Sequence, residues 1–143
     1  MSVYMKTMIC VKGSSQIGKT PSICDLCASI IQESEWPSAE IIQNKWDFEC
    51  KGHYRGVLVG FYSCGDPGCE QYKHLTALIN DGCEIVICSC RNWGQTRNDV
   101  EKVAKENGYD LIYTTTYHSV SVDDDFLRRH FVKALVDLVD SRI

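Results

Sequence analysis

No apolar run in the sequence approaches the ~18 residues needed to span a bilayer as a helix, which excludes a helical membrane anchor within it. The opening residues Met1-Ser2-Val3-Tyr4-Met5-Lys6 set no apolar stretch behind a basic end, so the expectation is a cytoplasmic chain without a secretory leader. Charge of one sign is not concentrated: 15 Lys and Arg stand against 19 Asp and Glu, for a net charge of -4. Nothing in that balance points to a nucleic-acid partner. Paired C-x-x-C spacing is missing, and the cysteines and the scattered His53, His74, His118 and His130 do not follow the ligand pattern of structural zinc. Repeats, low-complexity tracts and linkers are also lacking, so residues 1–143 read as a single domain.

What is abundant is cysteine, with nine in 143 residues. Cys10, Cys88 and Cys90 fall inside apolar runs that read as buried strands, where a free thiol behaves as a small hydrophobe. The expectation is a reducing compartment and no disulfide framework. Cys24-x-x-Cys27 lies inside a helical pattern, with Cys24 about a turn from its start, so it does not read as a redox motif.

Strand and helix patterns alternate along the chain. Met5 to Val11 is a short β-type run; Thr20 to Ser34 has helical periodicity through Ile23, Leu26, Cys27, Ile30 and Ile31. Ala39 to Asn44 reads as a short strand. Asp47–Lys51 and Gly56–Tyr62 read as an antiparallel hairpin at 47–62 around Gly52-His53-Tyr54-Arg55. Asp66-Pro67 is expected to open a second helix that Gly82 closes. Glu84–Cys90 is almost wholly apolar, as a covered central strand should be. Thr96-Arg97-Asn98-Asp99 resembles a capping box for a helix ending at Gly108. Asp110–Tyr117 is the last strand, and Asp123–Ser141 the last helix, with Phe126, Phe131, Leu135, Leu138 and Val139 on its buried side. The expected fold is α/β: a three-layer α/β/α arrangement around a mainly parallel central sheet.

Gly13-Ser14-Ser15-Gln16-Ile17-Gly18-Lys19-Thr20 fits G-x-x-x-x-G-K-[ST] at every fixed position, directly after the first strand and before a long amphipathic helix. A loop in that position can turn successive backbone N–H groups inward around a phosphate. Gly13 and Gly18 allow close backbone approach, and the following helix adds the positive end of its dipole. Lys19 supplies a cation for the β- and γ-phosphates, and Thr20 a hydroxyl for magnesium. On these residues the chain resembles the P-loop NTPase superfamily, and its small kinase-like branch in particular. That resemblance implies ATP or another nucleoside triphosphate, with Mg2+, bound by Gly13, Ser14, Ser15, Gln16, Ile17, Gly18, Lys19 and Thr20.

In the superfamily a later strand usually ends in an acid that holds the metal through water. Here the run Gly56–Tyr62 ends in Ser63, and the first carboxylate is Asp66. Asp66 is the candidate second metal-side group and catalytic acid, with helix capping as its alternative role. Arg91 and Arg97 flank Asn92-Trp93-Gly94-Gln95-Thr96 after the apolar strand, at the sheet edge where ligands collect. Arg91 is the candidate for charge at the γ-phosphate, Arg97 for a phosphate contact, and Trp93 for stacking on a base. Asn44-Lys45-Trp46-Asp47 matches a guanine-reading motif but stands too early in the chain for that role.

The expected function is nucleotide binding by a small ATP-dependent phosphotransferase or NTPase. The alternatives are a nucleotide-binding regulatory module with little or no turnover, or one subunit of an oligomeric ATPase that donates Arg128 or Arg129 to a neighbour. The implied partner is a nucleotide, with an acceptor or protein partner that the sequence does not name.

Overall fold

Neighbouring residues of the first strand, β1 (Thr7–Lys12), go to two different hydrophobic clusters: Ile9 and Val11 to one, Met8 and Cys10 to the other. A strand points successive side chains opposite ways, so β1 is apolar at both its even and its odd positions. In the computed structural model, which describes residues 5–13, 18–31, 48–64 and 69–143, β1 is followed by eight further elements. They are α1 (Lys19–Ile30), β2 (Phe48–Tyr54), β3 (Val57–Ser63), α2 (Gln71–Asn80), β4 (Ile85–Cys90), α3 (Gln95–Asn107), β5 (Asp110–Thr114) and α4 (Asp124–Ser141).

The five strands form one sheet in the order β2-β3-β4-β1-β5. β1 pairs in parallel with both β4 and β5, β3 pairs in parallel with β4, and β2 is antiparallel to β3. The mixed α/β class, the mostly parallel sheet and the hairpin therefore agree with expectation. All six residues of β4 are buried, as its near-continuous apolar run requires between β3 and β1. Residues of α1 and α4 join the first cluster, and residues of α2 and α3 the second. Among the described residues no helix is long and apolar enough to cross a membrane.

Several local expectations are corrected. The hairpin turns at Arg55-Gly56, not at 52–55, with Tyr54 paired to Val57. Both turn residues have positive φ, 51° and 81°, the two-residue geometry whose twist matches the flanking strands. β5 stops at Thr114 instead of running to Tyr117: its ladder with β1, its partner among the described residues, closes at the Val11–Thr114 pair, one residue before β1 itself ends at Lys12. α2 opens at Gln71 with Glu70 at the N-cap, later than the start expected at Asp66-Pro67. α3 opens on Gly94 without a side-chain cap; Thr96 lies inside its first turn, and its Oγ1 accepts the Arg91 N–H at 3.1 Å. In α4 Asp123 stands at the N-cap, where it accepts the Phe126 N–H at 3.2 Å, but Phe126, expected on the buried side, is 45% exposed and the buried stripe begins at Phe131. Residues 32–34 of the first helical pattern, the strand expected at Ala39–Asn44 and the Asn44–Asp47 motif lie outside the described residues.

Gly60 in β3 lies under Leu78 of α2 and the following Cys83. A Cβ there would come within 2.9 Å of Cys83 Sγ and 3.2 Å of both Leu78 methyls. Both neighbours are buried, so neither can swing into solvent. Gly60→Ala is expected to destabilise the fold by about 1–3 kcal/mol through overpacking. Adding Cys83→Ala should restore part of that loss, because contacting sites are non-additive. Urea denaturation of the two single variants and the double variant checks this; strict additivity would show that the Cβ does not meet Cys83.

Candidate functional site

The site forms where β1 and β4 end. The chain leaving β1 enters α1 and the first cluster, whereas the chain leaving its parallel neighbour β4 enters α3 and the second cluster. Where adjacent parallel strands send their connections apart, a crevice opens at their carboxyl ends, the usual ligand position in open α/β sheets. Gly13, at the end of β1, donates its N–H to Cys90 O of β4 at 3.1 Å. Gly18 takes the left-handed conformation at the N-cap of α1, with φ 81°, which a side chain would strain. Its carbonyl accepts the Ser22 N–H at 3.1 Å and the Ser22 hydroxyl at 2.7 Å. The first turn of α1 carries neither an acidic residue nor a side-chain cap, so nothing in that turn offsets the positive end of the helix.

Lys19 closes the crevice floor. Its Nζ donates to Gly13 O at 2.6 Å and to Cys90 O at 3.1 Å. An ammonium has three N–H donors, and among the described residues the third has no partner. Burial holds the Lys19 ammonium below the usual lysine range, and Arg91 pushes it the same way. Beneath it, Cys10 Sγ donates to Cys90 Sγ at 3.2 Å. Burial raises the Cys10 thiol, and the contact with Cys10 followed by burial raises that of Cys90. Both stay protonated at neutral pH, so Lys19 sits over neutral sulfur and carbonyl oxygen rather than a counter-ion.

Thr20 leads to a group of side chains that the sequence reading did not single out. Its Oγ1 lies 2.6 Å from Ser63 Oγ, at the end of β3, and Ser63 Oγ lies 3.0 Å from Ser89 Oγ in β4. Gln71, at the start of α2 and fully buried, donates Nε2 to Ser89 O at 2.7 Å. Its Oε1 is buried without a partner. One signal for these residues was present in the sequence: Ser63 and Ser89 are hydroxyls inside strands that are otherwise apolar. Which hydroxyls meet depends on the β3-β4-β1 order.

The remaining predicted residues divide. Arg91 lies near enough to act on Lys19, and among the described residues its guanidinium has no hydrogen bond or ion pair. Arg97 is engaged elsewhere: Nη1 donates to Asn92 O at 2.7 Å, Nε to Glu101 at 3.1 Å, and its guanidinium lies over the Tyr113 ring. It braces the loop between β4 and α3. Trp93, in that loop, is 81% exposed. Arg128 ties α4 to α1 through Asp25 at 3.0 Å and also bonds Asp125 at 2.6 Å. Ser14, Ser15, Gln16, Ile17 and Asp66 lie outside the described residues.

The cysteine reading needs a correction. Cys64 and Cys69 are joined by a disulfide, with Cα atoms 6.4 Å apart; the odd cysteine count and the opening residues gave no sign of it. Its two ends adjoin the site, Cys64 next to Ser63 and Cys69 two residues before Gln71. The other seven cysteines form no disulfide among the described residues, and all but Cys24 are buried. Cys24 is pushed up to about 11, first by burial and then by Asp25, so Cys24-x-x-Cys27 has no reactive thiolate at neutral pH. No cluster of three or more His, Cys, Asp or Glu disposed to hold a metal occurs among the described residues.

The depressed Lys19 gives a pH dependence of known sign. An ammonium whose folded pKa lies below its unfolded value of about 10.4 lowers stability at neutral pH. That cost fades as pH rises from the folded value towards the unfolded one, where the unfolded chain binds more protons. The stability of the wild type relative to Lys19→Met is therefore expected to rise between pH 8 and pH 10.5. Urea melts of both proteins at matched pH isolate this from cysteine titration, which the two share; a constant or falling difference would overturn it.

Comparison of the chain with known proteins finds no family model, no curated protein and no solved structure that matches it.

Proposed function

We propose that the chain is a P-loop protein that binds a nucleoside triphosphate, ATP with magnesium, at the carboxyl ends of β1 and β4. The observation that carries this reading is Lys19. A half-buried ammonium that, among the described residues, has no counter-ion and one N–H unengaged sits between the ends of two central parallel strands. Such a cation is suited to a phosphate oxygen, and its desolvation strengthens the attraction. Gly18 and the acid-free first turn of α1 support the same ligand. The two clusters that divide β1 support a three-layer α/β/α reading of the domain, and we read its compartment as cytoplasmic.

The donor set also fits magnesium. Thr20 offers a hydroxyl oxygen beside two more hydroxyls, and magnesium takes oxygen ligands, retains waters and is shared with substrate phosphates. When bound it would neutralise charge on the β- and γ-phosphates. Lys19 and the backbone of the loop would bind and orient those phosphates, with Arg91 available from the β4–α3 loop.

The enzymatic form of the proposal is a small ATP-dependent phosphotransferase or NTPase, supported by Arg91, whose guanidinium is unpaired among the described residues. A binding module with little or no turnover is favoured by a different observation: β3 ends in the neutral Ser63, hydrogen-bonded to Thr20, where a carboxylate would activate or anchor. Asp66 remains the candidate acid for turnover. The subunit reading is weaker, since Arg128 already bonds Asp25 and Asp125 within its own chain.

ATP with magnesium at 100 times its Kd is expected to stabilise the folded protein by about 2.7 kcal/mol, read as a rise in Tm. Lys19→Ala should abolish that rise. An equal rise in the variant would remove Lys19 from the phosphate site. Conversion of ATP to ADP by the wild type, measured with and without candidate acceptors, decides between module and enzyme.

A further inference from the structure

The three hydroxyls of Thr20, Ser63 and Ser89 form a chain whose ends differ. Thr20 is partly exposed at the crevice, whereas Ser63 and Ser89 are 0% and 2% exposed. The two serines cannot turn to water, so each hydroxyl can satisfy itself only along the chain or towards its inner end. Two hydrogen bonds among three hydroxyls use two protons and leave one over. The third proton leaves the chain either outward from Thr20 or inward from Ser89.

A hydroxyl oxygen that gives a lone pair to a cation must point its proton away from it. For Thr20 the acceptor in reach among the described residues is Ser63 Oγ, at 2.6 Å. Ser63, having accepted, directs its own proton to Ser89 Oγ at 3.0 Å. The surplus proton is then on Ser89. Beside it is Gln71, bonded through Nε2 to the Ser89 carbonyl and carrying a buried Oε1 that lacks a donor. Gln71 thereby holds the Ser89 backbone at the inner end of the chain, and its Oε1 makes no hydrogen bond with Ser89 Oγ.

We propose that Ser63 and Ser89 are positioning residues for magnesium: they take up the Thr20 proton inward and so hold the Thr20 lone pairs towards the metal side of the triphosphate site. This rests on the triphosphate reading above. The device replaces a charged carboxylate with neutral hydroxyls, so the protein alone has little attraction for the metal, which arrives with the nucleotide. Run the other way, the chain points the Thr20 proton outward, where it can meet a phosphate oxygen in the absence of metal. Nucleotide binding without magnesium is then independent of Ser63, whereas the gain from magnesium depends on it.

Calorimetric titration of the full chain with ATP, once with magnesium and once with EDTA, tests this. The wild type should bind ATP more tightly with magnesium and show no response to magnesium alone. Ser63→Ala should lose about tenfold of the magnesium gain, the scale of losing a group that orients a metal ligand, with unchanged affinity in EDTA. Ser89→Ala should lose less in the same direction. In the double variant Thr20→Ala/Ser63→Ala, the second change should add nothing to Thr20→Ala, because Ser63 acts through Thr20. The melting transition without nucleotide verifies the fold; if Ser63→Ala does not fold, Ser89→Ala carries the test. A magnesium gain equal to the wild type in the folded variant, or an equal loss with EDTA and magnesium, overturns the positioning role while leaving the triphosphate reading intact. A wild type that binds no ATP under either condition overturns both.

Discussion

One carbonyl oxygen, that of Cys90, accepts both the Gly13 N–H and the Lys19 ammonium, and the geometry of the site depends on this junction. It joins the end of β1 to the end of β4 and sets the first residue of α1 directly over both. The arrangement requires β1 to lie between β4 and β5, and it requires β4 to be covered well enough to be buried throughout. It also carries a tension. An ammonium withdrawn from water loses hydration, and two carbonyls return only part of it. The remaining deficit is what makes the position attractive to an anion.

A second polar feature crosses the sheet at the same level. Ser63 and Ser89 stand in strands whose neighbours are apolar, and buried hydroxyls are tolerated only when hydrogen-bonded. Their partners are each other and Thr20, with Gln71 held against the Ser89 backbone. β3, β4, α1 and α2 therefore meet through side chains at one point. The disulfide between Cys64 and Cys69 lies at the rim of that point, tethering the end of β3 to the approach to α2. Bridges of this kind are rare in reducing compartments unless they respond to redox conditions, which sets Cys64 and Cys69 apart from the buried thiols that fill the core.

Elements with a strong local period were legible from the chain. The almost wholly apolar run at 84–90, the amphipathic pattern after Thr20 and the helical pattern from Asp123 all follow from residues a few positions apart, and they appear in the fold as β4, α1 and α4. Element ends were less legible, because each is decided by a neighbour. β5 stops where its ladder with β1 closes, and Thr96 gives up its capping role to hold the Arg91 N–H. Arg97 read as a free cation beside a ligand edge, yet Glu101, Tyr113 and Asn92 already hold it.

By itself the sequence determined an α/β chain with a glycine-bounded loop and a lysine between its first strand and first helix, since those features rest on residue type and short-range spacing. Tertiary structure alone decided what surrounds that lysine. Thr20 meets Ser63 across 43 residues of chain, and Lys19 meets Cys90 across 71. Contacts of that separation depend on the strand order and on the side to which each connection turns, and no local pattern encodes either.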